Sequence, residues 1–205
     1  CNDSIMALVL NGSNDTITGL QINSANIVDG SIVNADINSS AAIASSKISG
    51  GVGKVLQVVQ HEFTTGQFTT TSNSYVDVTG FTQAITPTAA SSKIFAMLNP
   101  HIQSNPDGTY NAGTSVLLAR SVNGGSYSTI AASNLQVYMT STGVRYQDGF
   151  LNMNILDSPS YSLGNAITYK VQTKTTDANV TGRINVSSGG ETNKASRLIL
   201  IEVGA

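Results

Sequence analysis

The chain has 205 residues, of which 40% are hydrophobic and 11% are charged, and its formal net charge is −2. No apolar run reaches the roughly 18 residues of a membrane-spanning helix, so we expect a soluble chain with no membrane partner. The few Lys and Arg residues are spread thinly and form no basic patch for phosphates, which argues against nucleic acid as a partner.

The first 50 residues carry isoleucines at a regular spacing. The step is five residues up to Ile37 and resumes after one inserted residue, giving Ile17, Ile22, Ile27, Ile32, Ile37, Ile43 and Ile48. A five-residue step turns an α-helix by about 500°, and on a strand it alternates faces, so neither element buries these side chains together. We predict that residues 1–50 form an extended arm. The isoleucines would be buried when the arm orders on a partner, either identical chains about a threefold axis or a larger protein surface.

Small residues surround these isoleucines. The pentads 25–29, 30–34 and 35–39 resemble the pentapeptide-repeat pattern of a small residue, then Asp or Asn, then a large aliphatic. A repeat solenoid needs several stacked coils, and this stretch supplies little more than one. The alternative is a polar linker with chance isoleucines. Ser39 and Ser40 also favour the start of a short helix at Ala41.

Glycines at 50, 51 and 53 precede Lys54. A phosphate-binding loop is excluded because Ile48 stands where that motif needs its first glycine, and Val55 where it needs a hydroxyl. We predict a flexible hinge over residues 51–54.

Residues 55–205 alternate between short apolar-polar runs and turn residues, which predicts an all-β domain. Asn123-Gly124 favours a tight hairpin turn. The predicted strands are Val55–Phe63, Tyr75–Thr79, Phe81–Thr86, Lys93–Ile102, Thr114–Val122, Tyr127–Ala131, Asn134–Met139, Tyr146–Ile155, Ile167–Thr175, Val180–Val186 and Arg197–Val203.

About ten strands with no long helical pattern suit two packed sheets, and we predict a jelly-roll-like β-sandwich preceded by the arm. An immunoglobulin-like sandwich is the alternative. It is disfavoured because the chain has no Trp and only one Cys, so the pinned core of true immunoglobulin domains is missing.

Several short motifs, in both halves of the chain, resemble those of one group of proteins. Residues 6–20 and the pentads from Ile27 to Ile48 resemble the N-terminal segments of tail fibres and related surface proteins of tailed bacteriophages, particularly cyanobacterial ones. The second half resembles their β-domains at residues 53–58, 85–87, 92–94, 156–159 and 167–171.

The resemblance implies a homotrimeric protein of the virion surface, on the capsid exterior or a tail appendage. The short arm favours a capsid-decorating or cement protein bound to the major capsid protein. A tail-fibre tip or adaptor is the alternative, bound to a tail or baseplate protein and to a host surface glycan. A depolymerase, an enzyme, is the third and least favoured hypothesis.

Catalysis finds little support in the residue pattern, and we expect neither an enzyme nor a cofactor. His61 and His101 are the only histidines, and neither has a second metal ligand at the spacing of a zinc site. The acids that glycoside cleavage would need are scattered, and we expect them to be solvated loop residues: Asp107, Asp148, Asp157 and Asp177.

Tyrosines are candidates for stacking against a sugar, although half-buried packing in a sheet is the more common role of a strand tyrosine. The candidates are Tyr110, Tyr127, Tyr138, Tyr146 and Tyr161.

Overall fold

The computed structural model describes residues 55–64, 66–106, 112–137, 147–186 and 196–204, together with residues 32, 33, 37, 38 and 41. The chain divides into two compact units, Cys1–Gly50 and Gly51–Ala205. The predicted arm, the hinge at 51–54 and the helix after Ser40 lie wholly or almost wholly outside the described residues and stay predictions.

The described residues form twelve strands and no helix, which confirms the all-β prediction. Their bounds are β1 Val55–Phe63, β2 Phe68–Thr70, β3 Val76–Ile85, β4 Lys93–Asn99, β5 His101–Pro106, β6 Ala112–Val122, β7 Ser128–Val137, β8 Gln147–Phe150, β9 Met153–Asp157, β10 Ile167–Thr175, β11 Val180–Ile184 and β12 Ser196–Val203.

The strands form three antiparallel sheets of four strands each. Sheet A has the order β1-β12-β4-β9, sheet B the order β2-β11-β5-β8 and sheet C the order β3-β10-β6-β7. Each strand of sheet B is the chain neighbour of the strand at the same place in sheet A. Sheets A and B are therefore two halves of one long sheet. Counting each such pair as one strand leaves eight strands in two sheets, with the Greek-key order of a jelly roll. The jelly-roll prediction is confirmed, and the immunoglobulin alternative is wrong.

The long sheet breaks where Pro100 separates β4 from β5. Pro100 has no N–H for the ladder, but its carbonyl accepts a hydrogen bond from Leu151 N at 3.1 Å. On the neighbouring strand the chain turns at Asn185, whose φ is 61°. Asn185 N donates to His101 O at 2.7 Å, and Asn185 Nδ2 donates to Gly66 O at 3.1 Å. These bonds join the strands across the break.

The break explains two errors in the predicted strands. The sequence pattern predicts Lys93–Ile102 and Tyr146–Ile155 as one strand each, whereas each is two strands with the bend between them. Sequence periodicity continues through such a bend because the apolar residues on either side still face the same core. The three-residue strand β2 is absent from the predicted set because it is too short to show any period.

Two further predicted pairs of strands are single strands. Tyr75–Thr79 and Phe81–Thr86 join in β3, because Gly80 adopts a φ of 84° and the pairing with β10 shifts register near it. This is the pattern of a β-bulge. Tyr127–Ala131 and Asn134–Met139 join in β7, which continues through Ala132 and Ser133. In both cases the middle of the strand contains small or polar residues. Such residues are also typical of turns, so the sequence pattern predicts a break between two strands.

The core lies between sheet C and the long sheet. Ile167, Tyr169 and Val171 of β10 are fully buried, as their alternation with polar residues predicts. Phe63 and Phe81 stack with ring centroids 5.0 Å apart. The other large members include Val78, Ile85, Ile94, Leu98, Ile102, Val116, Leu118, Ile184, Leu198 and Leu200.

The turn between β6 and β7 forms as predicted. Asn123 and Gly124 have φ angles of 51° and 71°, and Gly125 N donates to Val122 O at 3.0 Å. A tight hairpin turn of this kind needs positive φ angles at two successive residues, and an Asn-Gly pair adopts them with the least strain.

Candidate functional site

The predicted assembly arm is described at few positions. Ile32 and Ile37 are 54% and 40% exposed, and Val33 between them is 54% exposed. The other arm isoleucines, Ile17, Ile22, Ile27, Ile43 and Ile48, lie outside the described residues. The burial of the arm isoleucines against a partner stays a prediction.

A second apolar surface lies on the outer face of sheet A. The strand register places Val58, Ile201, Phe95 and Leu156 in one row across all four strands. Ile199 and Met97 are paired in the adjacent row, and Val55 and Val203 are paired towards the other end. We call this set the apolar face: Val55, Leu56, Val58, Phe95, Met97, Leu156, Ile199, Ile201 and Val203.

Four side chains at the two edges of the apolar face are well exposed. Val55 is 60% exposed, Leu56 42%, Val58 57% and Leu156 53%. The members on the central strands β4 and β12 are half-buried.

The central strands of sheet A are apolar on both sides. In β12, Leu198 and Leu200 are fully buried while Ile199 and Ile201 point outwards. A strand with one face in water usually alternates apolar and polar residues, whereas continuous apolar runs mark strands covered on both faces. In sheet C, strand β10 places polar or charged Thr168, Lys170 and Gln172 on the outside. The central strand β6 carries Leu117 and Ala119 on that side, and both are buried within the sheet's own surface.

Charged side chains lie at the margins of the apolar face. Arg197 and Glu62 form an ion pair with Nη2 and Oε1 3.4 Å apart, and both side chains are largely exposed. Lys93 is exposed near the opposite end. The runs 93–99 and 197–203 carry a signal of this face in the sequence, since they are apolar at both alternating positions. A strand prediction identifies such runs as strands but does not show that they are apolar on both sides. The exposed apolar surface was therefore not predicted from the sequence.

A buried ionic contact joins the two layers of the sandwich. Asp157 at the end of β9 accepts from Arg120 Nη1 at 2.5 Å and from the Tyr169 hydroxyl at 2.6 Å. Burial, followed by the hydrogen bond to Asp157, raises the pKa of Tyr169 above its ordinary value. The expectation that Asp157 is a solvated loop residue is wrong, because the residue is 8% exposed and lies within a strand. Its role is to hold sheet A against sheet C.

Glu202 is a second buried acid, and it holds the connection between β3 and β4. Its carboxylate accepts from Thr88 N at 2.9 Å, from Ala89 N at 3.1 Å and from Gln57 Nε2 at 2.7 Å. Burial acts to raise the pKa of Glu202, but the hydrogen bonds from Gln57, Thr88 and Ala89 outweigh it, so the pKa lies below the ordinary value. Spacing alone gave no signal for this contact, which joins residues more than a hundred positions apart.

The histidines are separated in the structure. His61 is half-buried with its ring centroid 5.9 Å from that of Phe81. His101 is buried, with Nε2 3.4 Å from Asp148 Oδ2 and its ring edge-on to Phe150. Within the part of the chain that the structure describes, no three His, Cys, Asp or Glu residues cluster as metal ligands.

The remaining candidates do not form one described site. Asp177 accepts from Asn179 N at 2.8 Å in a local turn, and Asp107 lies outside the described residues. Tyr161 is half-buried, and its hydroxyl donates to Ala89 O at 2.7 Å. Tyr127 is 43% exposed, with Lys170 Nζ 4.0 Å from its ring centroid. Tyr110, Tyr138 and Tyr146 lie outside the described residues.

No protein-family model matches the chain, and no curated protein sequence matches it. The resemblance to surface proteins of tailed phages therefore stays a prediction. Among the described residues, no helix is long and apolar enough to cross a membrane.

Solved structures resemble the chain weakly. Eiger TNF from S. frugiperda is 10% identical over 75% of this chain and 94% of its own, with a TM-score of 0.38. Dimeric latent PorU from Porphyromonas gingivalis is 8% identical over 74% of this chain and 13% of its own, with a TM-score of 0.32. A chain of infectious bursal disease virus, Gx strain, is 11% identical over 73% of this chain and 37% of its own, with a TM-score of 0.30. Likeness at this level does not bear on function.

Proposed function

We propose that this protein is a structural component of the virion surface of a tailed bacteriophage. In this proposal it is a homotrimeric capsid-decorating or cement protein, and residues 1–50 anchor it to the major capsid protein. The observation that carries the proposal is the regular series of arm isoleucines, of which Ile32 and Ile37 remain exposed in the single chain. Aliphatic side chains at a regular spacing that leaves them exposed are expected to be buried by a partner.

The architecture of the second unit supports a structural role. The sandwich has a hydrophobic core of fully buried residues drawn from both of its layers. Two of its buried acids, Asp157 and Glu202, are engaged in hydrogen bonds that hold the fold. We therefore propose a protein that acts by binding and not by catalysis.

The position on the virion follows from copy number. Quantitative mass spectrometry of purified virions would measure this protein against the major capsid protein. We expect comparable abundance, which a decoration of the shell requires. A small fraction of the capsid abundance would contradict the cement role and favour a tail appendage. Absence from purified particles would refute a virion role altogether.

The anchoring role of the arm has its own test. Replacing Ile27, Ile32 and Ile37 together with Asn should abolish incorporation into particles, because burying each isoleucine contributes about 1.5–3 kcal/mol. Val33→Asn is the matched control, since Val33 is as exposed as Ile32 but lies outside the five-residue series. Normal incorporation of the triple variant, or equal loss in the control, would contradict the role of the isoleucine series.

The tail-fibre alternative has one observation in its favour. Tyr127 presents a partly exposed ring beside Lys170 on sheet C, an arrangement that suits stacking against a sugar. If a host surface glycan binds there, Tyr127→Ala should abolish binding of the protein to host cells, measured by flow cytometry with labelled protein. Unchanged binding by the variant would exclude this site.

A further inference from the structure

We infer that the apolar face of sheet A is the surface through which the sandwich contacts a second copy of this chain. The inference rests on the proposed homotrimer and assigns it an interface outside the arm. It concerns the nine residues already defined as the apolar face and the charged residues at its margin.

The first argument is the continuity of the apolar surface. Val58, Ile201, Phe95 and Leu156 cross all four strands of sheet A in one register row. Ile199 and Met97 extend the surface into the adjacent row, whose edge positions are the polar Gln60 and Asn154. Single exposed apolar residues are ordinary on protein surfaces, whereas a contiguous patch marks an interaction site.

The second argument is the composition of β4 and β12. Both strands place apolar side chains on the core side and on the outer side. This is the composition of strands covered on both faces, and the described chain covers only one of them. The uncovered side therefore matches a sheet that becomes buried on association.

The third argument identifies the occupant. The nine residues of the apolar face are uncharged, and its margins carry both signs: Glu62 and Arg197 at one end, and Lys93, which is paired with Val203, at the other. A second copy offers an apolar surface of equal kind and a guanidinium for each carboxylate. A strongly acidic or basic partner would find no complementary patch there. A contact in which one part of the face binds a different part of the face on the next copy is heterologous, and it forms the proposed trimer where the rotation closes after three copies.

The fourth argument comes from chain connectivity. Strand β1, which supplies Val55, Leu56 and Val58, is the first strand after the predicted arm, and 54 residues precede it. Arms that associate raise the local concentration of the attached sandwiches. A weak contact between sandwiches is then sufficient for a stable assembly.

The test measures self-association of the full chain by sedimentation equilibrium. Val58→Glu with Leu156→Glu places a charge at each edge of the apolar face. Both side chains are more than half exposed, and both lie on edge strands. We expect the dissociation constant of the oligomer to rise at least about tenfold, because a buried unpaired charge is strongly unfavourable. Ala132→Glu, a change at an exposed apolar residue on β7, the edge strand of sheet C, should leave the dissociation constant within about twofold.

A milder pair, Val58→Thr with Leu156→Gln, guards against misfolding of the charged variant. This pair should weaken association less than the charged pair does. Its circular dichroism spectrum and melting temperature should equal those of the wild-type chain. Weakened association in both face variants but not in Ala132→Glu supports the inference. Wild-type association in the face variants, or a monomeric wild-type chain, overturns it.

The arm variant separates this inference from the proposed function. If the Ile27, Ile32 and Ile37 triple variant associates normally while the face variants do not, the inference stands and the assembly role of the arm fails. If only the arm variant loses association, the inference is overturned and the proposed role of the arm is retained. Face variants that associate normally but no longer bind capsids would also overturn it, by assigning the face to another protein.

Discussion

Replacing Asp157 with Ala should destabilise the sandwich far more than the loss of an exposed ion pair would. Asp157 is the shared acceptor for Arg120 at 2.5 Å and for the Tyr169 hydroxyl at 2.6 Å. The variant leaves a largely buried guanidinium without its carboxylate and a fully buried hydroxyl without its acceptor. Removing one partner of a buried pair costs about 3–5 kcal/mol. Because Arg120 retains some contact with water, we expect a cost of about 3–4 kcal/mol.

Urea denaturation followed by circular dichroism measures this loss as a lower transition midpoint with an unchanged slope. In a thermal melt, about 2–4 °C per kcal/mol corresponds to a decrease of roughly 6–16 °C for a domain of this size. Tyr169→Phe removes only the hydroxyl and should cost about 1.5–3 kcal/mol.

Asp77→Ala is the matched control for the buried pair. Asp77 pairs with Lys170 at 2.8 Å but is 56% exposed, so its loss should cost less than about 1 kcal/mol. The double variant Asp157→Ala with Tyr169→Phe should lose less stability than the sum of the two single variants. A cost below about 1 kcal/mol for Asp157→Ala, or one equal to that of Asp77→Ala, would refute the reasoning.

Three further changes test other contacts of the fold. Glu202→Gln should destabilise the fold at neutral pH. Because the folded pKa of Glu202 lies below its ordinary 4.5, the stabilisation is present above pH 4.5 and is lost as the pH falls through the folded pKa, so the urea midpoints of variant and wild type should converge below that folded pKa. Gly182→Ala should cost about 1–3 kcal/mol in the same assay, because a Cβ there would lie 2.9 Å from the Oγ1 atom of buried Thr114, and an unchanged midpoint would contradict this packing. Asn185→Ala should lower the melting temperature more than Asn185→Gly, since both lose the bond to Gly66 but only Ala is strained at a φ of 61°; equal melting temperatures would argue against strain.

The buried acids show why local sequence pattern could not find the contacts that hold this fold. The sequence places Asp157 in solvent because the acids are scattered along the chain, whereas the structure places it at the end of β9. Its partners Arg120 and Tyr169 lie on other strands of another sheet. Only the packing of sheet A on sheet C brings the three together, and periodicity carries no information about that pairing.

The sequence by itself determined the fold class, much of the strand set and the turn at Asn123-Gly124. These features depend on local chemistry: alternation of apolar and polar residues along a strand, and the positive φ angles that Asn and Gly accept. It also displayed the isoleucine series of residues 1–50, for which we propose a role in binding a partner.

The tertiary structure decided the bend at Pro100, the buried pairs and the apolar face. Each depends on which strands become neighbours. Val58 and Leu156 are nearly a hundred positions apart, yet the register of β1, β12, β4 and β9 places them in one row. Alternation shows that a strand has two sides, but only the assembled sandwich shows which side is left uncovered.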